Sequence, residues 1–501
     1  MTAGDRKSLR RMLEFGWAGG LSLLMAVNAA SAAVEISASP TRNMSCSAGV
    51  CTATAKQAVL NGTDLANMLA TGDTKIVSGA TAKDIDVDVA LNWVSASRLT
   101  FDGYRSVAFK QPVEVSGPGA LTIVTNDGGL NGDYSFLDKG HVEFWSDTGS
   151  LVINGHSYVL VYNLRQIQHA TEVQDCYIAL AKAIRSGRKL YTASPVESLD
   201  ATLEGLGNTI SGLTINDQTN NDNVGLIGVL GGTACPNGVR DLGLKSSNIT
   251  GSGSGQTLGT LIGKNEGGFV QKSHSSGQIS ASGDAVVGGL VGDSGGGLIS
   301  LSYSTATISI SGTGSNGAVG GLVGINAGTC ITGCRGTISQ SFSAGAISAG
   351  ANTMAGGLAG YNSGASISNS FALGAVSGGD ASLVGGLIGV NADSPSENAQ
   401  ASVSSSYSTG LVSGTAGSVL GGLIGQDNAA SGIADAYWNL DTSGIPDPSQ
   451  GAGNVANDPG ITGVTTVQLQ SGLPTGFDAS IWLTKASGNS GFPYLRTLPP
   501  G

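Results

Sequence analysis

Between about residue 225 and 434 the chain repeats itself, and this limits what it can fold into more than any other feature. A Gly-Gly-aliphatic-aliphatic-Gly turn-and-strand runs through Gly288-Gly289-Leu290-Val291-Gly292. It returns at Gly320 to Gly324, Gly356 to Gly360, Gly385 to Gly389 and Gly421 to Gly425. Gly259 to Gly263 is a degenerate copy and Gly225 to Gly228 a half-copy. Each copy leads to a second element: Ile299-Ser300-Leu301-Ser302-Tyr303, then Ile338 to Phe342, Ile367 to Phe371 and Val403 to Tyr407. Val270 to His274 and Ile433 to Tyr437 are looser versions. A third short strand follows, as in Gln278-Ile279-Ser280, Ala346-Ile347-Ser348, Ala375-Val376-Ser377 and Leu411-Val412-Ser413.

The repeat leucines Leu261, Leu290, Leu322, Leu358, Leu387 and Leu423 are 29, 32, 36, 29 and 36 residues apart. That period, with three short strands per unit, predicts an all-β solenoid, because one unit cannot bury its aliphatic face alone and a stack can. Glycines at the corners are expected to supply positive φ. Stacking aligns equivalent residues in two ladders. Ser273, Ser302, Ser341, Ser370 and Ser406 form one. His274, Tyr303, Phe342, Phe371, Tyr407 and Tyr437 form the other. Which ladder faces inward depends on whether the chain bends between them.

Composition agrees. Glycine accounts for 80 of 501 residues, charged residues for 12% and aromatics for 5%. No Gly-X-Y register runs through the chain, which excludes collagen. The formal charge of −11 with few Lys and Arg makes nucleic acid a poor partner. Residues 1–32 carry Arg6, Lys7, Arg10 and Arg11, an apolar stretch from Phe15 to Val27, and Ala30-Ser31-Ala32. This is the pattern of a signal peptide cleaved between Ala32 and Ala33. No later segment is long and apolar enough for a membrane helix.

Five segments follow: a signal peptide at 1–32, solenoid coils at 33–163, a transition at 164–224 with a short helix, the repeat array at 225–434, and a terminal cap at 435–501 containing Trp438 and Trp482. In 33–163, Asp84-Ile85-Asp86-Val87-Asp88-Val89 alternates with period two, as a half-buried strand does.

Export suits disulfides for the six cysteines. Cys46 with Cys51 and Cys330 with Cys334 could each close a small loop, leaving Cys176 and Cys235 to pair or stay free. The close spacings would also suit zinc, but no histidine lies near them. His141, His156, His169 and His274 are not spaced for a metal. Asp84, Asp86 and Asp88 could share a cation, although the wet side of a strand is the simpler role. The loops 126–133 and 216–223 could hold calcium, although Asx residues form turns for their own reasons. Asp284, Asp293, Asp380, Asp393 and Asp427 are scattered through the repeats and read as solvated loop residues. No nucleophile motif or phosphate loop is present. The expectation is therefore a chain without cofactor and without catalytic residues.

Gly-Gly-Leu-Val-Gly followed by Ile-Ser-x-Ser-Tyr-Ser resembles the GLUG repeat of bacterial surface proteins. Leu203 to Ile215 and Gly238 to Leu244 resemble the segment leading into such arrays. Tyr437-Trp438-Asn439, Thr442-Ser443-Gly444 and Phe492-Pro493-Tyr494-Leu495 resemble the segment closing them. Asp84 to Trp93 and Leu151-Val152-Ile153-Asn154-Gly155 resemble filamentous-haemagglutinin-type adhesins. The resemblance implies a right-handed parallel β-helix on the surface of, or secreted by, a Gram-negative bacterium, routed through the periplasm. It implies attachment to glycans or surface proteins of host or neighbouring cells, in adhesion, aggregation or biofilm. Some GLUG-bearing proteins are IgA peptidases, but no His-Glu-x-x-His occurs here. Two other roles fit the fold: a polysaccharide lyase or hydrolase, marked by carboxylates clustered in a groove, and a passive stalk.

Overall fold

A computed structural model describes residues 32–282, 284–312, 317–328, 335–485 and 488–498. The signal-peptide segment up to residue 31, Cys330 and Cys334 lie outside the described residues. The chain is a parallel β-helix built as two solenoids. In the first, one face pairs Tyr134–Phe136, Val107–Phe109, Asp84–Val87, Ala33–Ser37 and Gln57–Asn61 in that order. A second face pairs Leu91–Trp93, Val113–Val115 and Val142–Phe144. The third runs through Thr74–Val77, Arg98–Asp102, Ala120–Val124 and Ser150–Ile153. The helix Gly62–Thr71 follows the edge strand Gln57–Asn61 and buries Leu65 and Leu69. Asn61 starts it by accepting hydrogen bonds from the Thr63 and Asp64 amides.

The second solenoid has an eight-stranded face from Val196–Leu199 to Ile424–Asp427 and a seven-stranded face from Asn223–Val224 to Val419–Gly421. Gly288, Gly320, Gly356, Gly385 and Gly421 stand in one register column. Leu261, Leu290, Leu322, Leu358, Leu387 and Leu423 all point into one core and are fully buried.

The repeat glycines correct one expectation. None of the Gly-Gly pairs has positive φ. They are required by close approach instead: a Cβ on Gly288, Gly320, Gly356 or Gly385 would lie 1.8–2.0 Å from the carbonyl oxygen three residues on. Positive φ falls on ordinary residues at the middle of Ile-Ser-x-Ser-aromatic: Lys272, Leu301, Gln340, Asn369, Ser405 and Asp435, at 45–51°.

That left-handed bend settles the ladders. It places the serine inward and the next residue outward. From Ser302 onward each serine hydroxyl donates to the carbonyl two residues back and accepts the amide of the serine one coil earlier. Thus Ser302 Oγ donates to Ser300 O at 2.9 Å and accepts from Ser273 N at 3.2 Å. The same pattern continues through Ser341, Ser370 and Ser406. The outward rings stack face to face. Centroids are 4.9 Å apart for His274–Tyr303, 4.8 Å for Tyr303–Phe342 and Phe342–Phe371, and 5.2 Å for Phe371–Tyr407, close to the interstrand spacing.

A third ladder is invisible as an alternation of apolar and polar residues. Asn265, Ser294, Asn326, Asn362, Asn391 and Asp427 occupy one register column, two positions after the Gly that closes each Gly-rich motif. Their amides link coil to coil: Asn326 to Asn362 at 2.9 Å, Asn362 to Asn391 at 2.8 Å and Asn391 to Asp427 at 2.9 Å. Asp427 is thus buried at the end of this ladder, not a solvated loop residue.

The solenoids meet at an antiparallel hairpin, Ser150–Ile153 with His156–Val161. Asn154 and Gly155 both take positive φ, the two-residue turn that matches strand twist. The hairpin reverses the strand direction, and the core changes sides with it. Ile178 and Leu180 belong to the second core, while Ala179 and Ala181, on the opposite face of the same strand, belong to the first. The helix Leu164–Glu172 follows the hairpin.

Beyond the repeats, Ile433–Asn439 and Ile461–Val464 add parallel strands to the stack. Residues 450–454 lie on the last repeat coil, with Ala452 bridging Ile424 and Asn454 bonded to Asp427, and the chain then leaves the end. It runs along the flank as a strap, with the short helix Thr466–Gln470 and the antiparallel pair Trp482–Leu483 and Tyr494–Leu495. Phe477, Trp482 and Leu495 form a separate core with Phe342, Phe371, Tyr407 and Tyr437. Outward-facing ladder rings are therefore buried from outside. The strap is pinned by hydrogen bonds from Trp482 Nε1 to Asn369 Oδ1 at 3.1 Å and from Tyr437 OH to Thr475 O at 3.1 Å.

Candidate functional surfaces

The carboxylates singled out in the sequence are neutralised by neighbours one coil on. Asp84 is buried and takes Arg105 Nε at 2.8 Å. Asp86 and Asp88 both receive Lys110 Nζ, at 3.1 and 3.0 Å. Burial raises the Asp86 carboxyl above its ordinary range, against the pull of Lys110. Lys110 thus occupies the position a shared cation would take. Among the described residues no group of three or more His, Cys, Asp or Glu side chains is arranged to hold a metal. In the 216–223 loop, Asp217 accepts from the Thr219 amide at 2.7 Å and from Gln256 Nε2 at 3.0 Å.

Disulfides join Cys46 to Cys51 and Cys176 to Cys235. The first closes the tip of the hairpin Met44–Ser47 with Val50–Ala53. The second ties the first coil of the second solenoid to the loop before Gly238–Arg240.

A charged cluster fills the junction between solenoids. Glu204 and Arg240 sit in the outward column that is serine in later coils, and here the first solenoid covers them. Glu204 is fully buried; it accepts from Tyr134 OH at 2.6 Å and the Leu206 amide at 2.9 Å. Arg240 lies 3.0 Å from Asp241 and from Asp133, 3.4 Å from Glu204, and 4.1 Å above the Tyr134 ring. Lys272 closes the set on Asp133 at 2.6 Å. Three carboxylates face two cations. Burial, and then the Asp241 charge, push Glu204 up to about 8, so at neutral pH it holds a proton and the cluster balances. Glu204 and Asp241 are buried while Asp133 lies at the rim, 48% exposed; the cluster joins the solenoids. The sequence showed no sign of it, since its members come from residues 133 to 272.

A different combination lies exposed beside the junction. Trp145 follows the inward Phe144 and points out, 53% exposed. Lys182 Nζ sits 4.2 Å above its ring and 5.9 Å from that of Tyr162. Lys189 covers Tyr191 at 4.1 Å. A shallow depression of about 400 Å³ in the strap, by contrast, is lined by Gln470, Thr484, Lys485, Ser490 and Gly491, with no carboxylate or histidine.

Fold and ladders together define a glycine-rich, internally repeated β-helix protein. Its repeat matches a known one: residues 351–377 match the model of the GLUG motif. No curated protein matches the chain. Among solved structures, a candidate immunoglobulin A1 protease from Bacteroides ovatus is similar over 68% of this chain and 93% of its own, at 18% identity and a TM-score of 0.41. An IgA1 protease is similar over 55% of this chain and 20% of its own, at 21% identity and a TM-score of 0.42. These names correct one expectation from the sequence, that such a chain is not an enzyme: similar chains are described as proteases, and absence of catalysis is withdrawn. The likeness assigns no activity to this chain. No helix among the described residues is long and apolar enough to cross a membrane.

Proposed function

We propose that this is an exported cell-surface β-helix protein that attaches its cell to glycans or proteins of neighbouring or host cells through the outer face of its solenoid. One observation carries the proposal. The hydrogen-bonded ladders and the leucine column are consumed internally, so the rod is self-sufficient and the outward columns not covered by the strap remain available for repeated contacts. The GLUG motif at residues 351–377 and the export pattern at the N-terminus support placement outside the cell.

Protease treatment of intact cells, with periplasm and medium probed in parallel, tests the placement. Degradation on intact cells, with attachment lost in a deletion strain, is expected. Protein confined to the periplasm would overturn the proposal, and surface protein with unchanged attachment would leave a passive stalk.

A further inference from the structure

The first coil of the second solenoid has a charge pattern found nowhere else in the chain after residue 32. From Cys176 to Val196 there are four cations, Lys182, Arg185, Arg188 and Lys189, and no acidic residue, in a protein of net charge −11. The fold turns these cations outward. Ile184 is buried and Arg185 alternates to the exposed side; Arg188 and Lys189 follow a positive-φ turn at Gly187 and are exposed. Arg185 pairs with Ser211 and Ser211 with Lys245, so a further cation stands in the same column two coils along. None of the five forms an ion pair among the described residues. Arg105, Lys110, Arg240 and Lys272, by contrast, are engaged by carboxylates. Cations left unpaired on an acidic protein remain free for an external anion.

Aromatic surface lies at the same place. Trp145 presents an exposed ring beside Lys182, with Tyr162 next to it and Tyr191 under Lys189. Two carboxylates border the patch: Glu143, which accepts from the Ala183 amide at 3.4 Å, and Asp147 near Tyr162. They leave it net positive. Guanidinium forks match carboxylates in two-point hydrogen bonds, and an indole face offers an apolar platform for the C–H face of a sugar ring.

We infer that the patch formed by Trp145, Lys182, Arg185, Arg188, Lys189 and Lys245 binds an acidic polysaccharide, with the cations on its charged groups and Trp145 on a sugar face. This rests on the attachment proposal and names its ligand class. A protein partner would need a broad apolar centre, and here the apolar groups, Trp145, Tyr162, Leu190 and Tyr191, are interleaved with Lys182 and Lys189.

The test measures binding of the full chain to polygalacturonate, neutral dextran and double-stranded DNA, alongside attachment of cells. Polygalacturonate is expected to bind and to weaken as salt is raised, and dextran not to bind. Combined Lys182→Gln, Arg185→Gln, Arg188→Gln and Lys189→Gln should weaken binding by about tenfold or more. Trp145→Ala should weaken it at every salt concentration, as a stacking contact would. All five positions are on the surface, and an unchanged melting temperature confirms the fold. Dextran bound equally, DNA preferred over polygalacturonate, or variants that bind like the wild type would each overturn the inference. If the variants still attach cells, the patch fails while adhesion stands; if the wild type attaches none, the adhesion proposal itself fails.

Discussion

His274 shows how one position in a ladder carries a pH signature. It begins the ring stack, with its imidazole parallel to Tyr303 and against Gly243, where a Cβ would lie 2.6 Å from the ring. Burial, and then the nearby Lys245, lower its pKa to about 4. The unfolded chain takes up that proton near pH 6.5, the folded chain only near 4, so stability falls as pH drops through that interval. His274→Phe keeps the stack and removes the titration. Relative to wild type it should gain on the order of 2 kcal/mol at pH 4 over its difference at pH 7. Denaturation midpoints at the two pH values check this, and parallel pH curves would refute it. The asparagine ladder is the converse case, in which one side chain recurs because its amide both donates to the next coil and accepts from the last.

At the scale of elements, the strap determines what the aromatic ladder means. Rings placed outward by the left-handed bend would be an exposed apolar stripe if residues 465–498 did not cover them. Trp482 fills the centre of that contact and is fully buried. Trp482→Ala should cost about 3–5 kcal/mol locally and free the strap without unwinding the coils. Limited proteolysis should then cut between about residues 465 and 498 first, with increased binding of a hydrophobic dye. An unchanged cleavage pattern would show that the strap is held elsewhere. The hairpin at Asn154-Gly155 is the other decisive element, and that dipeptide between apolar runs is its legible signal. Taken as one more coil, it hides the point where the core changes sides.

At the scale of the whole molecule, two solenoids become one body through a shared strand and the cluster around the buried Glu204. Tyr134, Arg240, Asp241, Asp133 and Lys272 face Glu204 or its partners from both solenoids. With its pKa raised to about 8, Glu204 contributes stability that is fully present below its unfolded value near 4.3 and is lost as pH rises through 8. Glu204→Gln mimics the protonated form, so its melting temperature should decline less than that of wild type between pH 6 and 9. Identical slopes would show that the proton resides on another member of the cluster.

The repeat, its period and its aliphatic column were legible in the sequence because a solenoid stacks like on like: a residue's neighbour is its own counterpart one coil away. The ladder members, Leu290 with Leu322 or Ser302 with Ser341, could thus be paired by counting. Counting could not show that Leu301 takes a left-handed conformation, because a non-glycine residue gives no compositional sign of it. It could not show that the strap covers Phe371, or that Asp133 reaches Arg240 across 107 residues. Those are contacts between parts that do not repeat, and only the tertiary structure, where burial and charge balance are decided together, brings them into reach.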